Sequence, residues 1–250
     1  MLRTRVIPVV LLNGYSVIKT VKFNVRRNLG NPITVARVYN TRNVDELILL
    51  DIDASKKGRS IDIFTVADVA SECFMPLAVG GGIRTLDDIR VLLRSGADKV
   101  VVNTTALLRP DFMAEAAAEF GSQCIVFSID VLTTTQGFAV RSLSDLTSDL
   151  SDPFTCSQIM EKKGAGEVFL NFVDRDGEMC GVDQEFVSEF TSSLGIPVVV
   201  CGGVGSPNDA VSLAKSGASG VAAASIFHFT SFTPQDCKEA LNSQGIAVRM

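Results

Sequence analysis

Pro76-Leu-Ala-Val-Gly-Gly-Gly82 and Pro197-Val-Val-Val-Cys-Gly-Gly203 are two copies of one pattern, 121 residues apart. Each is a proline, a short apolar run and a glycine pair, which reads as a buried strand ending in a tight turn. The spacing persists on both sides. Ser95-Gly-Ala97 stands against Ser216-Gly-Ala218, Thr104 against Ser225, and Asp45-Glu46 against Gly166-Glu167. One half of the chain therefore resembles the other. A doubly wound sheet has no reason to repeat at half its length, whereas a barrel of two four-stranded halves does.

Short apolar runs at 6–12, 46–51, 77–80, 99–102, 124–130, 167–172, 197–201 and 220–223 are the candidate strands. Between them lie stretches with helical spacing of apolar residues, at 86–95, 111–120, 155–163, 184–193 and 208–216. Several start after a proline and stop at a glycine, as helices do. Eight strands alternating with helices predict an α/β protein, a single (β/α)8 TIM barrel built from two similar half-barrels. No linker or low-complexity stretch divides residues 1–250, so one domain is expected.

Composition narrows the functional classes. Of 250 residues, 46% are hydrophobic and 20% charged, a balance typical of an ordered globular chain. A net charge of −5 argues against a general nucleic-acid surface. The apolar run near the N-terminus is too short to span a membrane. Six scattered cysteines form no CxxC pair, which fits a reducing cytoplasm, and a lone histidine excludes a histidine-rich metal site. Neither a metal nor a cofactor is expected.

Strand ends on the upper face carry the candidate chemistry. Gly80–Gly82 and Asn103-Thr104 close strands three and four; Gly202-Gly203 and Ala224-Ser225 close strands seven and eight. Glycine lets backbone amides approach an anion, so the duplicated pattern predicts two phosphate grips on opposite sides of the mouth. Tight strand-to-helix turns are the plainer reading. Asp51, Asp130 and Asp176 fall at or just beyond strands two, five and six, with Asp53 and Asp174 nearby. A carboxylate there can work as a general acid or base, or merely cap a helix or bind Arg84 or Arg175. Lys19, in the long loop after strand one, is a partner for phosphate or carboxylate. His228 reads as packing, and Cys201, without a neighbouring histidine, is a poor nucleophile.

The lower face carries a third group. Arg5, Glu46, Lys99 and Glu167 each begin an apolar strand, and two cations with two anions can pair as a ring. On residues alone this is a structural plug, because burying any one of them unpaired is costly.

Longer matches then appear at Asp45-Glu46-Leu47, Leu50-Asp51-Ile52, Val79-Gly80-Gly81-Gly82-Ile83, Gly96-Ala97-Asp98-Lys99-Val100, Asp174-Arg175-Asp176-Gly177 and Ala223-Ala224-Ser225-Ile226-Phe227. On these the chain resembles, over its full length, the cyclase subunit family of imidazole glycerol phosphate synthase. The resemblance implies a barrel with a glutaminase docked beneath it and ammonia rising along the axis. It makes Arg5, Glu46, Lys99 and Glu167 an ammonia gate and Asp98 part of the glutaminase interface. It assigns substrate phosphates to Gly82, Asn103, Thr104, Gly177, Gly203 and Ser225. Of the family's two catalytic aspartates, Asp130 matches one and Leu11 replaces the other. A leucine moves no proton, so the acid–base pair is broken.

Val17-Ile-Lys-Thr-Val-Lys-Phe23, Asp51-Ile-Asp-Ala-Ser-Lys56 and Ala70-Ser-Glu-Cys-Phe-Met-Pro76 are similar to a branch associated with acetamidino sugars of bacterial surface polysaccharide. That likeness implies ammonia supplied to a separate ATP-using amidotransferase acting on a nucleotide-activated sugar. Two alternatives stand beside it: a true cyclase of histidine biosynthesis, and a catalytically silent scaffold for a glutaminase.

Overall fold

The computed structural model describes residues 3–142 and 145–250. Its eight parallel strands are β1 Arg5–Asn13, β2 Leu47–Asp51, β3 Leu77–Gly80, β4 Lys99–Val102, β5 Ile125–Thr134, β6 Glu167–Phe172, β7 Val198–Cys201 and β8 Gly220–Ala223. Each pairs with the next, and β8 pairs back onto β1 in the register Arg5↔Gly220 to Pro8↔Ala223, which closes the barrel. The expected (β/α)8 fold is the observed one. All eight candidate runs are barrel strands, with all ends but one displaced by no more than one residue. The exception is β5, which continues four residues past Asp130 to pair with the antiparallel arm Gly137–Val140.

The stretch after β1, expected as a loop, is also sheet. Ser16–Val21 folds back antiparallel on the end of β1, and Val25–Gly30 pairs with it in turn. Lys19 therefore sits on a hairpin arm. Lys22 (φ 51) and Phe23 (φ 59) make the tight turn, with Asn24 N donating to Val21 O at 3.0 Å. Two left-handed residues in succession is the geometry that matches a hairpin's twist. It is uncommon without glycine, which is why the sequence hid it.

The half-repeat is carried by the helices. Pro32–Thr41, Ile63–Glu72, Leu86–Arg94 and Thr104–Leu108 each recur 121 residues later, at Pro153–Lys162, Gln184–Ser192, Pro207–Lys215 and Ser225–Phe229. Their caps recur as well: Asn31 with Asp152, Asp62 with Asp183, and the capping boxes Thr85/Asp88 with Ser206/Asp209. Each such cap stabilises its helix by about 1 kcal/mol, so the repeat preserves folding instructions and not just similar residues. Among the described residues, no helix is long and apolar enough to cross a membrane.

The apolar core has two layers. One lies between strands and helices, around Leu12, Tyr39, Phe112, Phe127 and Phe190. The other fills the barrel itself, from Ile7, Ile48, Ala78, Val101, Val126, Phe169, Val199 and Ala222. Below them, Lys238 of the last helix, Pro234–Ser243, is fully buried. Its Nζ donates to Asp45 Oδ1 at 2.9 Å and Asn43 O at 2.7 Å, while Asp45 Oδ2 accepts from Val6 N at 2.8 Å. One buried ion pair thus ties the C-terminal helix to the lower ends of β1 and β2.

Candidate functional site

The upper mouth encloses about 1380 Å3 of space open to solvent above, lined by residues from every barrel strand or the turn after it. Asp130 lies in its wall. Asn171 of β6 donates to Asp130 Oδ1 at 3.1 Å, and Asn103 after β4 donates to Oδ2 at 3.2 Å. Asn103, expected at a phosphate, therefore also clamps the carboxylate from the side. Asn171 becomes a partner of Asp130 only through strand register.

Register also places Leu11. Asp130 pairs with Asn171 across β5 and β6, and Leu11 pairs with Leu50 across β1 and β2. Leu50 and Asn171 are repeat mates 121 residues apart. Leu11 is thus the first-half counterpart of Asp130, and it lines the same cavity. The carboxylate has no acidic twin across the mouth at that level.

Burial pushes the Asp130 carboxyl up, against the pull of Asn171, Arg141 and Asn103, with Asp176 adding to the rise. Ionising Asp130 consequently costs folding energy. The cost is absent below the ordinary carboxylate range, near pH 4, grows as pH rises through the elevated value and is complete above it. Asp130→Asn removes it. The variant is expected to gain stability over the parent at pH 8, by about 1 kcal/mol, and to lose that gain at pH 4; thermal melts at the two values measure it. An equal shift at both would contradict a raised carboxyl.

Three of the other carboxylates, Asp176, Asp51 and Asp53, are engaged by cations. Asp176 Oδ1 accepts from Lys19 Nζ at 2.5 Å, and its Oδ2 accepts from Thr20 Oγ1 at 2.5 Å. Asp51 Oδ2 lies 2.7 Å from Arg59 Nη1. Asp53 holds Arg26 by two bonds, at 2.7 and 2.9 Å, with Lys57 at 3.1 Å. Arg26, against the opposing effect of burial, and then Lys57 hold the Asp53 carboxyl far below its usual range. Asp174 accepts from Thr133 N at 2.6 Å. No ion pair among the described residues joins these groups to Arg84 or Arg175; Arg59 and Arg26 take that place.

The glycine turns match in shape as well as in sequence. Gly82 (φ 70) and Gly203 (φ 77) are both left-handed, and a Cβ would stand 1.9 Å from Arg59 O at the first and 2.3 Å from Gly181 O at the second. Gly177 (φ 75) packs as closely on Thr20 O, at 2.6 Å, beside the Lys19–Asp176 pair. The short helices Thr104–Leu108 and Ser225–Phe229 begin at Asn103 and Ala224, whose backbones are alike (φ −122, ψ −85 and φ −133, ψ −62). The Ser225 hydroxyl is buried and has no hydrogen-bond partner among the described residues, although it lines the cavity. A buried polar group of that kind is one that a ligand can satisfy.

At the lower end the four charges meet. Arg5 bonds Glu46 Oε2 at 2.6 Å and also Glu167; Lys99 bonds Glu46 at 3.0 Å and Glu167 at 2.8 Å. Each cation bridges both anions, so the ring is closed. Burial opposes the charge on Glu167, but Arg5 and then Lys99 overcome it and hold the carboxyl low. A lowered carboxyl stabilises the fold above its unfolded value and loses that contribution as pH falls through the folded value. Glu167→Gln is therefore expected to cost about 2 kcal/mol at pH 7, with a difference from the parent that narrows in acid. Urea titrations at pH 7 and pH 4 measure this, and a pH-independent loss would mean that the charge is not what matters. Asp98, expected to face a partner, has its Oδ2 accepting from Leu77 N at 2.8 Å.

His228 stands 3.3 Å from the Tyr39 hydroxyl, and burial, then Lys19 and Arg42, lower its affinity for a proton. Cys201 lines the mouth, but burial pushes its thiol up to about 12. Neither is placed as a nucleophile.

A half-repeated (β/α)8 barrel, with a charge ring closing its axis below and an open mouth with two matched glycine turns above, is the class these elements define. A profile of the family described as "Histidine biosynthesis protein" matches residues 5–233, and the chain belongs to that family. It is also 47% identical over 250 residues, spanning all of both chains, to a Campylobacter jejuni protein provisionally named imidazole glycerol phosphate synthase subunit hisF2.

Proposed function

We propose that this barrel is a cyclase-like synthase subunit that receives ammonia from a glutaminase. Its mouth then directs that ammonia to forming an acetamidino group on a nucleotide-activated sugar. The observation that carries the reading is Leu11 at the register position of Asp130, above an intact charge ring. The floor is preserved while the proton-transfer pair is not. Lining the axis between them are Ile7, Ile48, Ala78, Val101, Val126, Val199 and Ala222. Neutral ammonia can enter such surroundings, whereas ammonium would lose its hydration without compensation. Because each ring carboxylate has two cation partners, one pair can part while the others hold.

At the mouth the amide oxygen of an acetamido group would leave after activation by an ATP-using partner. Ammonia would then form the new C–N bond. Asp130, held by two amide donors and raised by burial, would take the proton that ammonia sheds. Side-chain 15N-labelled glutamine tests this with the glutaminase, barrel, amidotransferase, ATP and sugar together. Label should appear in the amidine even in excess unlabelled ammonium. Dilution of the label in proportion to the added ammonium would sink the channelling claim.

The second reading, a histidine-pathway cyclase, is favoured by retention of Asp130 and by the name of the Campylobacter relative. It needs Asp51 or Asp53 to replace the missing acid. Arg59 occupies the first, and Arg26 with Lys57 keeps the second ionised. An ionised carboxylate can accept a proton but has none to give. Growth of a histidine auxotroph expressing the chain would restore this reading.

A further inference from the structure

The mouth is not electrically symmetric. In the second half, Asp130 O accepts from Arg141 N at 2.7 Å, which makes the two residues partners across the hairpin. In the first half the equivalent pair is Leu11 and Ile18. One half thus offers the cavity an apolar wall, and the other a carboxylate beside a guanidinium. Arg141 is half-buried and lines the cavity. Of the other lining cations, Lys19 is taken by Asp176 and Arg26 by Asp53, while Lys56 is exposed to solvent rather than half-buried in the wall. Among the described residues, no carboxylate forms an ion pair with Arg141.

Arg141 is instead held by an aromatic face. Its guanidinium carbon lies 5.2 Å from the centre of the Phe23 ring. Phe23 sits on the left-handed turn of the first hairpin, where Asp176 accepts from its backbone amide at 3.3 Å. Left-handed backbone costs a bulky residue about 1–2 kcal/mol. Such strain persists where surrounding contacts impose it, often at ligand sites. Stacking occupies the face of a guanidinium and leaves its N–H edge available for two parallel bonds to an oxyanion.

We propose that Arg141 is a specificity-determining residue that grips an oxyanion of the ligand, above Asp130 and separate from the two glycine-turn grips. The ligand would carry that oxyanion on one side and a less polar face toward Leu11 and Leu50 on the other. This rests on the mouth being the substrate site, as proposed above.

The test is a titration of the full chain, labelled with 15N, with inorganic phosphate in one arm and acetate in the other. The Arg141 Nε–H resonance should move and saturate in at least one arm, and the better anion identifies the oxyanion. Arg141→Met should weaken that event about tenfold. Arg141→Lys, which keeps the charge but not the fork, should restore only part of it. If the Gly82 and Gly203 amides move while Arg141 stays still and Arg141→Lys binds like the parent, this proposal fails and the mouth reading survives. If none of them moves, both fail.

Discussion

Lys238→Met is expected to destabilise the protein by about 3–5 kcal/mol, the cost of breaking a buried ion pair from one side. Methionine fills nearly the same volume, so the loss is electrostatic. Asp45 would keep the Val6 amide but lose its cation, and the Asn43 carbonyl would lose its donor. The effect reaches the ring above, because Val6 and Glu46 adjoin Arg5 and Asp45 in sequence. Urea unfolding measures the loss. Adding Asp45→Asn to the first change should recover part of it, since no uncompensated charge is then buried. A loss under 1 kcal/mol in the single variant would mean that this pair contributes little.

Gly82→Ala is expected to have the largest effect on the mouth. A Cβ there would stand 1.9 Å from a backbone oxygen, Arg59 O, so one of two loops must move. Gly14 supplies the control. It has nearly the same φ, 69 against 70, but nothing within 4 Å of its Cβ. Gly14→Ala should therefore cost about 1 kcal/mol through backbone conformation alone. Gly82→Ala should cost at least twice that and also displace Arg59 from Asp51. Melting temperatures of the two variants, with phosphate titrations of each, separate backbone conformation from close approach. Equal losses would remove the argument for a constrained grip.

Much of the fold was legible because the barrel repeats. A shared offset of 121 residues marks Pro76–Gly82 and Pro197–Gly203, and it also projects Pro32–Thr41 from Pro153–Lys162 and Ile63–Glu72 from Gln184–Ser192. Those two first-half helices are absent from the helical stretches read in the sequence, and the structure supplies them. The hairpin after β1 was not legible. Its turn, Lys22-Phe23, lacks the glycine or asparagine that announces such geometry, and its outer arm Val25–Gly30 is largely exposed and so has no apolar alternation.

At the site, a strand end identifies a candidate such as Asp130 or Asp51, but not what faces it. That depends on partners far off in sequence: Asn171 for Asp130, Arg59 for Asp51 and Phe23 for Arg141. Ring membership was readable, since four charged residues each open an apolar strand. Closure of the ring, with each cation on both anions, depended on barrel geometry.

In the proposed function, ammonia enters through the charge ring while the mouth lacks the acid–base pair. The most direct test is turnover of the histidine-pathway intermediate by the purified barrel with its own glutaminase. Glutamine should be hydrolysed without formation of imidazole glycerol phosphate, by the parent chain and by Asp130→Asn alike. Formation of that product at the rate of an ordinary synthase, abolished by Asp130→Asn, would contradict it.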